Sequence, residues 1–290
     1  MSMNSVHTNL GAMVALQSLN RTGADMATTQ KAISTGFRVA DAKDDGAAYA
    51  IAQRVRSNVG ALTSVNRQLG NAKELLNTTL TSLDSMSKNM SKMKELVGDL
   101  ANSSIVGTDR QNKIDEYKQK LQTVREFAAD AFYNGRTLIA DIDPGTSNAD
   151  KEAMGFSDIT LARNENGSMV KVTAVNLQVE LEAISYSDDE LDNAETMAEE
   201  LKSDGRFNTA FNKIGTTSNT FGTQFKYFND QIDFNKNKID ALNAGIGAMV
   251  DADLSKEAAN LQALQVRQQL GTQALSMANQ GPQSLLSLFR

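Results

Sequence analysis

The chain has 290 residues, a net charge of −6 and neither cysteine nor tryptophan. Apolar residues make up 40% and aromatic residues only 6%, which argues against a thick globular core. The acidic balance, without a local block of Lys and Arg, argues against a nucleic-acid-binding surface. The absence of cysteine excludes disulfides, thiol chemistry and cysteine-ligated zinc.

The sequence also lacks the marks of a membrane or conventionally secreted protein. No apolar window approaches the roughly 18 residues of a membrane span, and the exposed apolar stripes have no Lys/Arg-rich polar face for membrane binding. The first residues lack the basic region of a conventional signal peptide. We therefore expect no membrane association and, if the protein is exported, no cleaved signal peptide.

The first predicted element is an amphipathic helix. Its apolar positions follow helical spacing: Val6, Leu10, Met13, Leu16 and Leu19, then more loosely Met26 and Ile33. The segment Ser34-Thr35-Gly36 interrupts the stripe, and Gly36 suits the left-handed turn that ends many helices. Asp44 and Asp45 can then cap the next helix and favour its positive end.

A second, much longer helix is predicted from Ala48 to Ala101. Its seam positions are Ala48, Ala52, Val55, Val59, Leu62, Asn66, Leu69, Lys73, Leu76, Leu80, Leu83, Ser87, Met90, Lys94, Val97 and Ala101. Lys73 and Lys94 weaken this pattern. A third helix has Ile114, Tyr117, Leu121, Val124, Ala128 and Ala131 in heptad phase, and the Asn134-Gly135 pair after it predicts a tight turn.

Residues 141–200 differ in kind. Pro144-Gly145 breaks the helical pattern, and the segments Ile159–Arg163 and Met169–Thr173 predict a β-hairpin. Asp188 to Glu190 is predicted as a turn, and Glu195 to Lys202 as a short acidic helix. We interpret this region as an insertion between two helical halves.

The stretch from Phe207 to Val250 carries an apolar pattern without a break in phase. Its seam positions are Phe211, Ile214, Ser218, Phe221, Phe225, Phe228, Ile232, Asn235, Ile239, Leu242, Ile246 and Met249. A helix of this extent is roughly 60 Å long, so it needs an equally long partner, which the second helix supplies. A last amphipathic helix carries Leu254, Ala258, Leu261, Leu264, Leu270, Ala274 and Ala278.

These patterns predict a mainly α fold, in which long helices form an antiparallel bundle or coiled coil with a small β-hairpin insertion, and the N- and C-terminal segments pair. We expect a rod core of Val55, Leu62, Leu69, Leu76, Leu83, Met90, Leu121, Phe221, Phe225, Phe228, Ile232, Ile239 and Leu242. Both terminal helices carry apolar stripes that one chain cannot cover, which predicts burial against other copies of the molecule.

Candidate catalytic residues are few. His7 is the single histidine, and without partners it predicts a surface or interface role. The carboxylates of 188–190 and 199–200 could form a catalytic pair, but they lie in a polar stretch and we interpret them as a solvated face. We expect no enzymatic activity and no cofactor.

A calcium loop is a further alternative. Asp141 and Asp143, with Glu152 downstream, have a spacing that hints at one. However, Gly145 replaces a ligand, and Thr146 occupies the position of the sharp-turn glycine. We therefore do not predict a metal site.

Three motifs resemble those of bacterial flagellin. The segment Ile33–Arg54 is similar to the family's N-terminal signature, a Ser-x-Gly-x-Arg turn followed by an Ala-x-Asp-Asp-x-Ala helix start. Phe132–Leu138 resembles its Phe-Asn-Gly-x-x-Leu turn. Glu257–Leu261, Gln268–Thr272 and Ala278–Leu288 resemble its C-terminal signature. The resemblance covers about residues 1–140 and 205–290, with the motifs in the family's order.

The resemblance, which is to flagellins of alphaproteobacterial type, implies an extracellular filament subunit for swimming. In that family subunits leave the cell unfolded through the flagellar type III export channel and polymerise beneath a cap protein. It implies three regions: 1–44 with 252–290 as the inner tube, 45–140 with 201–251 as a rod, and 141–200 as a short solvent-facing region. The implied partners are other copies of the chain, an export chaperone, the filament cap and hook-junction proteins.

We expect subunit contacts at the termini and the turn between the first two helices. The interface candidates are Leu10, Met13, Leu16, Leu19, Ile33, Arg38, Asp44, Asp45, Ile51, Leu261, Leu264, Leu270, Ala274, Asn279, Gln280, Leu285, Leu286 and Leu288. One family motif departs from its pattern. The Arg-x-Arg-Glu-Leu segment that a vertebrate Toll-like receptor senses is Lys92 to Leu96 here, and lysine cannot reproduce arginine's bidentate fork.

Two alternatives stay open. A hook–filament junction protein shares the terminal architecture, although the Ala-Asn-Gln-x-Pro-Gln tail from Ala278 favours flagellin. An enzyme or receptor-binding module in the insertion is the other alternative, and the insertion has neither His nor a metal motif to support it.

Overall fold

The structure, a computed structural model, describes residues 9–143 and 145–288, with side chains as far as residue 280. Within these residues the elements follow in the order α1 (Leu10–Thr35), α2 (Gly46–Leu100), α3 (Thr108–Ala129), β1 (Ile139–Ala140), α4 (Asn148–Ala153), β2 (Ile159–Ala162), β3 (Met169–Val172), β4 (Val175–Asn176), α5 (Gln178–Ala183), α6 (Asp188–Asp192), α7 (Ala194–Glu200), α8 (Arg206–Val250) and α9 (Leu254–Leu288). The predicted mainly α class, with long helices and small strands, is confirmed.

The chain divides into two compact units. One comprises Met1–Val59 with Asp240–Arg290, and the other is Gly60–Ile239. We call them the terminal unit and the central unit. The residues of the predicted insertion belong to the central unit, so they are not a separate body in the single chain. The division into inner tube, rod and solvent-facing region stays a prediction about the assembled molecule.

In the central unit, one continuous stripe of side chains on α2 faces the core. Its buried positions step by three and four: Leu62, Val65, Leu69, Ala72, Leu76, Thr79, Leu83, Met86, Met90, Met93, Val97 and Leu100. The buried residues at every seventh position, from Leu62 to Val97, coincide with the predicted seam. The buried residues between them lie one position before the predicted ones, so that Val65 replaces Asn66 and Met86 replaces Ser87. Lys94 is therefore exposed instead of lying in the seam. The sequence favours the observed phase, because its positions include the apolar Val65, Met86 and Met93, whereas the predicted positions include Lys73 and Lys94.

The facing helices complete this core. The buried residues that line it include Ile114, Tyr117, Leu121, Val124 and Ala128 on α3, and Phe207, Ala210, Ile214, Thr217, Phe221, Phe228 and Asn235 on α8. Phe225 and Ile232 are half-buried and pack against the same cluster. The remaining rod-core candidates Val55, Ile239 and Leu242 are half-buried, and Val55 packs in a small second cluster in the terminal unit.

The inserted residues build short elements onto the same core. β2 and β3 form the predicted antiparallel hairpin, with Ile159 opposite Val172, and β1 pairs in parallel with β4. The Asn134-Gly135 turn is also confirmed, with Asn134 at φ +50° and Gly135 at φ +74°. Because Ile159 and Val172 are buried in the helical core, the hairpin is part of the central unit's packing.

Two local predictions in this region were wrong. Asp188 to Glu190 is the first turn of α6 and not a free turn. Glu200 does not lie on a solvated face, since it is 6% exposed. Its carboxylate accepts from Arg206 Nε at 2.7 Å and from Phe207 N at 3.2 Å. The first N–H groups of α8 have no intrahelical acceptor, and Glu200, brought there by α7, satisfies one of them.

Glu190 belongs to the capping box that starts α6. Its backbone N donates to Ser187 Oγ at 3.3 Å, and its Oε2 accepts from Ser187 N at 2.9 Å. Its Oε1 accepts from Arg206 Nη2 at 2.9 Å. The Ser187 amide, and next the Arg206 guanidinium, hold the pKa of Glu190 below its ordinary value. The ionised carboxylate is thus the form that the folded chain stabilises.

We expect Glu190→Gln to flatten the acid side of the stability profile. A carboxyl group whose folded pKa is lowered adds stability above its unfolded pKa, and this contribution is lost as pH falls through the folded value. Urea unfolding between about pH 6 and about pH 3 should therefore show a smaller loss of unfolding free energy in Glu190→Gln than in the parent chain. The control is Asp189→Asn, at an exposed neighbouring carboxylate, and equal acid losses in the two variants would contradict the expectation.

Candidate assembly surface

The terminal unit is organised by an antiparallel pair of helices, α1 and α9. At one end Asn9 Nδ2 donates to Ala278 O at 2.6 Å, and Asn9 Oδ1 also caps α1 by accepting from Ala12 N. Midway, a Cβ at Gly271 would lie 3.3 Å from Leu19 Cδ1, so the glycine allows close approach. At the other end Phe37 forms a bridge with Asp251. The predicted pairing of the termini is confirmed.

This pair buries little of itself. Along α1 the buried residues are Thr22, Thr29 and Ala32, two of which are polar. In the part of α9 whose side chains are described, Leu264 is the buried residue, at 9% exposure. Two helices that share so few buried apolar side chains have little hydrophobic stabilisation of their own.

Large apolar side chains are instead exposed along both helices. They are Leu10, Met13, Val14 and Leu16 on α1, and Leu254, Val266, Leu270 and Met277 on α9, each between 47% and 68% exposed. We call these eight residues the assembly surface. Large exposed apolar patches on soluble proteins mark sites that contact a partner.

The interface candidates that lie on helices differ in exposure in the single chain. Those that are exposed are Leu10, Met13, Leu16, Ile51, Leu270, Ala274, Asn279 and Gln280. Leu19, Ile33 and Leu261 are half-buried, and Leu264 is buried. Leu285, Leu286 and Leu288 belong to α9, but their side chains lie outside the described part of the structure.

Sequence reasoning did not select Val14, Leu254, Val266 and Met277 as contact residues. The available signal was helical spacing, since Val266, Leu270 and Met277 recur at steps of four and seven on α9. Phe37, 39% exposed in the connecting turn, was also missed. An exposed aromatic residue in a short turn gives no periodic signal.

The remaining candidates lie in the turn that joins α1 to α2. Gly36 ends α1 in the left-handed conformation, at φ +75°. Arg38 N donates to Val250 O at 2.7 Å, and the Arg38 guanidinium donates to Met249 O. Asp45 Oδ1 accepts from Ala47 N and Ala48 N, as predicted for a cap of α2. The turn is therefore fixed by hydrogen bonds within the terminal unit.

Asp44 has a different role from the predicted cap. Its Oδ2 accepts from Ala40 N at 3.0 Å and from Asp41 N at 3.1 Å, and Lys31 Nζ lies 2.9 Å from the same oxygen. The Lys31 ammonium, more than the backbone amides, lowers the pKa of Asp44. Asp44 thus closes the turn back onto α1.

The described residues also show how the candidate metal ligands are placed. Asp141 Oδ2, a candidate calcium ligand, accepts from Arg125 Nη1 at 3.1 Å. Across residues 9–143 and 145–288, no three His, Cys, Asp or Glu side chains come together as a metal ion would require. In the same residues no helix is both long and apolar enough to cross a membrane. His7 lies outside the described residues.

Comparison with known proteins identifies the family. The model of the bacterial flagellin N-terminal helical region matches residues 6–143, and that of the C-terminal helical region matches residues 205–289. Flagellin FljM of Caulobacter vibrioides is 34% identical over the whole of both chains. A flagellin of Brucella melitensis is 32% identical over 99% of this chain and all of its own.

A solved structure adds a similarity of fold. A Vibrio parahaemolyticus protein assigned as flagellar hook-associated has a TM-score of 0.58 and 17% identity, and the match covers 72% of this chain and 100% of that one. The two terminal family models cover α1 and α9, the helix pair described above. The chain therefore belongs to the bacterial flagellin family, as a structural subunit of the extracellular flagellar filament.

Proposed function

We propose that the assembly surface is where this subunit polymerises, by docking between neighbouring copies of the chain. The observation that carries the proposal is the contrast within one helix pair: eight large apolar side chains are exposed, whereas Leu264 and Ala32 are the buried apolar residues among its side chains up to residue 280. Fully burying one Leu or Met side chain stabilises a structure by about 1.5–3 kcal/mol. In a helical filament, every subunit has neighbouring copies of the same chain that can cover these side chains.

Ordering and polymerisation are coupled in this proposal. The α1–α9 pair has too small a core to be stable by itself, so its helices become fully ordered when neighbours cover them. The central unit, with a continuous core along α2, α3 and α8, folds before docking. Residues 1–44 and 252–290 would then form the inner tube, 45–140 and 201–251 the rod, and 141–200 the solvent-facing surface.

Membership of the flagellin family supports a proposal for the export route and for partners other than the chain itself. We propose that the chain is exported unfolded, without cleavage of a signal peptide, and that an export chaperone, the filament cap and hook-junction proteins are its partners besides itself. It has no enzymatic role in this proposal.

The assembly surface is tested by a charge placed on it. Purified full-length protein is seeded with short filament fragments under mild salting-out conditions and viewed by negative-stain microscopy. We expect Leu270→Glu, at a side chain 59% exposed on α9, to stop growth. The matched control is Met169→Glu, at a side chain 65% exposed on the hairpin, which should grow uniform tubes. Normal tubes from Leu270→Glu would contradict the proposal.

Deletion of residues 280–290 is a second test of the same surface. It should abolish filaments while circular dichroism and urea unfolding show the central unit still folded. Loss of both assembly and folding would instead assign the tail a role in folding.

A hook–filament junction protein is the second candidate, because a protein assigned as hook-associated shares the fold. The fold does not separate the two roles, but copy number does. Sheared filaments should contain this chain as their bulk subunit if it is the filament flagellin. A few copies per filament, together with failure to grow on seeds, would favour the junction role.

A further inference from the structure

Eight of the twelve methionines fall into two groups by exposure, while Met26 and Met249 are half-buried. Met86, Met90, Met93 and Met197 are fully buried in the central unit. Met13, Met154, Met169 and Met277 are between 51% and 66% exposed. A thioether reacts with oxidants according to its exposure, so the second group comprises the reactive sites among these eight.

Two of the exposed methionines lie at the same end of the α1–α9 pair. Asn9, four residues before Met13, is hydrogen-bonded to Ala278, which follows Met277 directly. A Cβ at Gly11 would lie 3.9 Å from Ala278 Cβ, so the two helices approach closely there. Met13 and Met277 therefore lie on facing helices, among the apolar side chains of the assembly surface. Met154 and Met169 belong to the central unit.

We propose that Met13 and Met277 form a peroxide-sensitive modification site that controls whether a subunit can assemble. The inference rests on the proposed role of the assembly surface. Hydrogen peroxide transfers one oxygen atom to the thioether sulfur, which gives methionine sulfoxide and water. Sulfur is oxidised by two electrons, and the peroxide O–O bond is broken and reduced.

The effect follows from the change in polarity. Methionine is a flexible apolar side chain that adapts to an apolar surface. Its sulfoxide is polar and disrupts methionine-containing interfaces. On docking, the S=O group would be removed from water among side chains such as Leu10 and Leu270, which supply no hydrogen-bond donor. Burial of an unpaired polar group of this kind opposes association.

The same geometry predicts protection in the filament. Once docking covers the assembly surface, Met13 and Met277 are no longer accessible, so polymerised subunits should oxidise more slowly at these two positions. The modification acts on free subunits and is reversible, because each sulfoxide epimer has its own reductase.

The test compares two double variants of the full-length chain. Protein is treated with hydrogen peroxide, the peroxide is removed with catalase, and each methionine is mapped by mass spectrometry before seeded growth. Met13→Leu with Met277→Leu removes the proposed site, and Met154→Leu with Met169→Leu is the control at comparably exposed residues. Each protein is compared with its own untreated sample, so an effect of leucine on untreated growth cancels.

We expect peroxide to raise the critical concentration of the parent chain and of the Met154/Met169 variant by about tenfold or more. The Met13/Met277 variant should change by less than about twofold, and sulfoxide reductases should restore growth of the oxidised parent chain. Unchanged growth of a parent chain that is oxidised at both positions would overturn the proposal. So would loss of growth in the treated Met13/Met277 variant, or absence of oxidation at both positions.

Other results would show that the proposed role of the assembly surface itself is wrong. If untreated parent protein does not grow on seeds, or if Leu270→Glu grows normally, the role of the assembly surface is wrong whatever peroxide does. If untreated growth depends on Leu270 but is insensitive to oxidation, the assembly surface stands and the modification site alone is wrong.

Discussion

Gly155→Ala is expected to destabilise the central unit by about 3 kcal/mol, combining steric overlap with backbone strain. Gly155 has φ +78°, and a Cβ there would lie 2.2 Å from Gly135 O. Gly155 is held in place, since its carbonyl accepts from Thr137 N and its N–H donates to Glu152 O, both at 2.9 Å. Gly135 cannot easily withdraw either, because it belongs to the tight turn closed by Tyr133 and Arg136.

Gly167→Ala is the matched control. Gly167 has nearly the same backbone conformation, φ +76°, but no atom lies within 4 Å of its would-be Cβ. It therefore reports the cost of a left-handed alanine, about 1 kcal/mol, without the overlap. Urea unfolding of the monomeric protein should give a free energy of unfolding lower by about 2 kcal/mol in Gly155→Ala than in Gly167→Ala. Equal losses would mean that Gly135 yields, and the steric argument would fail.

Asn235→Ala is expected to cost about 2–3 kcal/mol, because it removes a fully buried amide and takes hydrogen-bond partners from three partly buried groups. Asn235 is fully buried in the face that α8 turns towards α2. Its Nδ2 donates to Asn66 Oδ1 at 2.9 Å and to Arg163 O at 3.1 Å, and its Oδ1 accepts from Gln231 Nε2 at 3.0 Å. One amide thus joins α8, α2 and the loop of the β2–β3 hairpin.

Asn237→Ala controls for the helical preference of alanine. Asn237 is exposed and lies two residues further along α8, so it shares the gain of about 0.5 kcal/mol that alanine brings to a helix. We expect Asn237→Ala to be neutral or slightly stabilising in urea unfolding. If Asn235→Ala were as mild, the buried network would contribute nothing measurable. A buried Asn can also specify helix register. Because Asn235 holds the Arg163 carbonyl of the hairpin loop, amide exchange in that loop should become faster in Asn235→Ala and not in Asn237→Ala.

The elements with a strong repeating pattern were predictable from sequence. The long helix predicted from Phe207 to Val250 is observed as Arg206–Val250, and that from Ala48 to Ala101 as Gly46–Leu100. The hairpin and the Asn134-Gly135 turn were found by alternation and turn chemistry. These features depend on interactions between residues a few positions apart, which the sequence displays directly.

Predictions were less secure where a heptad could be phased in two ways. A seam can alternate steps of four and three residues or steps of three and four. The two seams share every seventh residue, so Leu62, Leu69 and Leu76 belong to both. The packed helices show that Met86 and Met93, and not Ser87 and Lys94, face the core, which the apolar character of Met86 and Met93 also favours. The partner helices decide between the two phases, because they determine which flank of the stripe is covered.

The sequence by itself determined the helical fold, the paired termini and the apolar stripes that one chain cannot cover, because periodicity and turn residues are local properties. Tertiary structure decided which polar residues are buried. Glu200 meets the first N–H groups of α8 because α7 ends beside them, and Asn235 meets Asn66 across two helices. It also decided that the insertion shares the core of the central unit and that Leu264 is covered while Leu270 is exposed. The Glu200 contacts span only six and seven residues, but they require α7 to fold back on the start of α8. The other features depend on contacts between residues far apart in the chain, whose spacing leaves no trace in the local pattern.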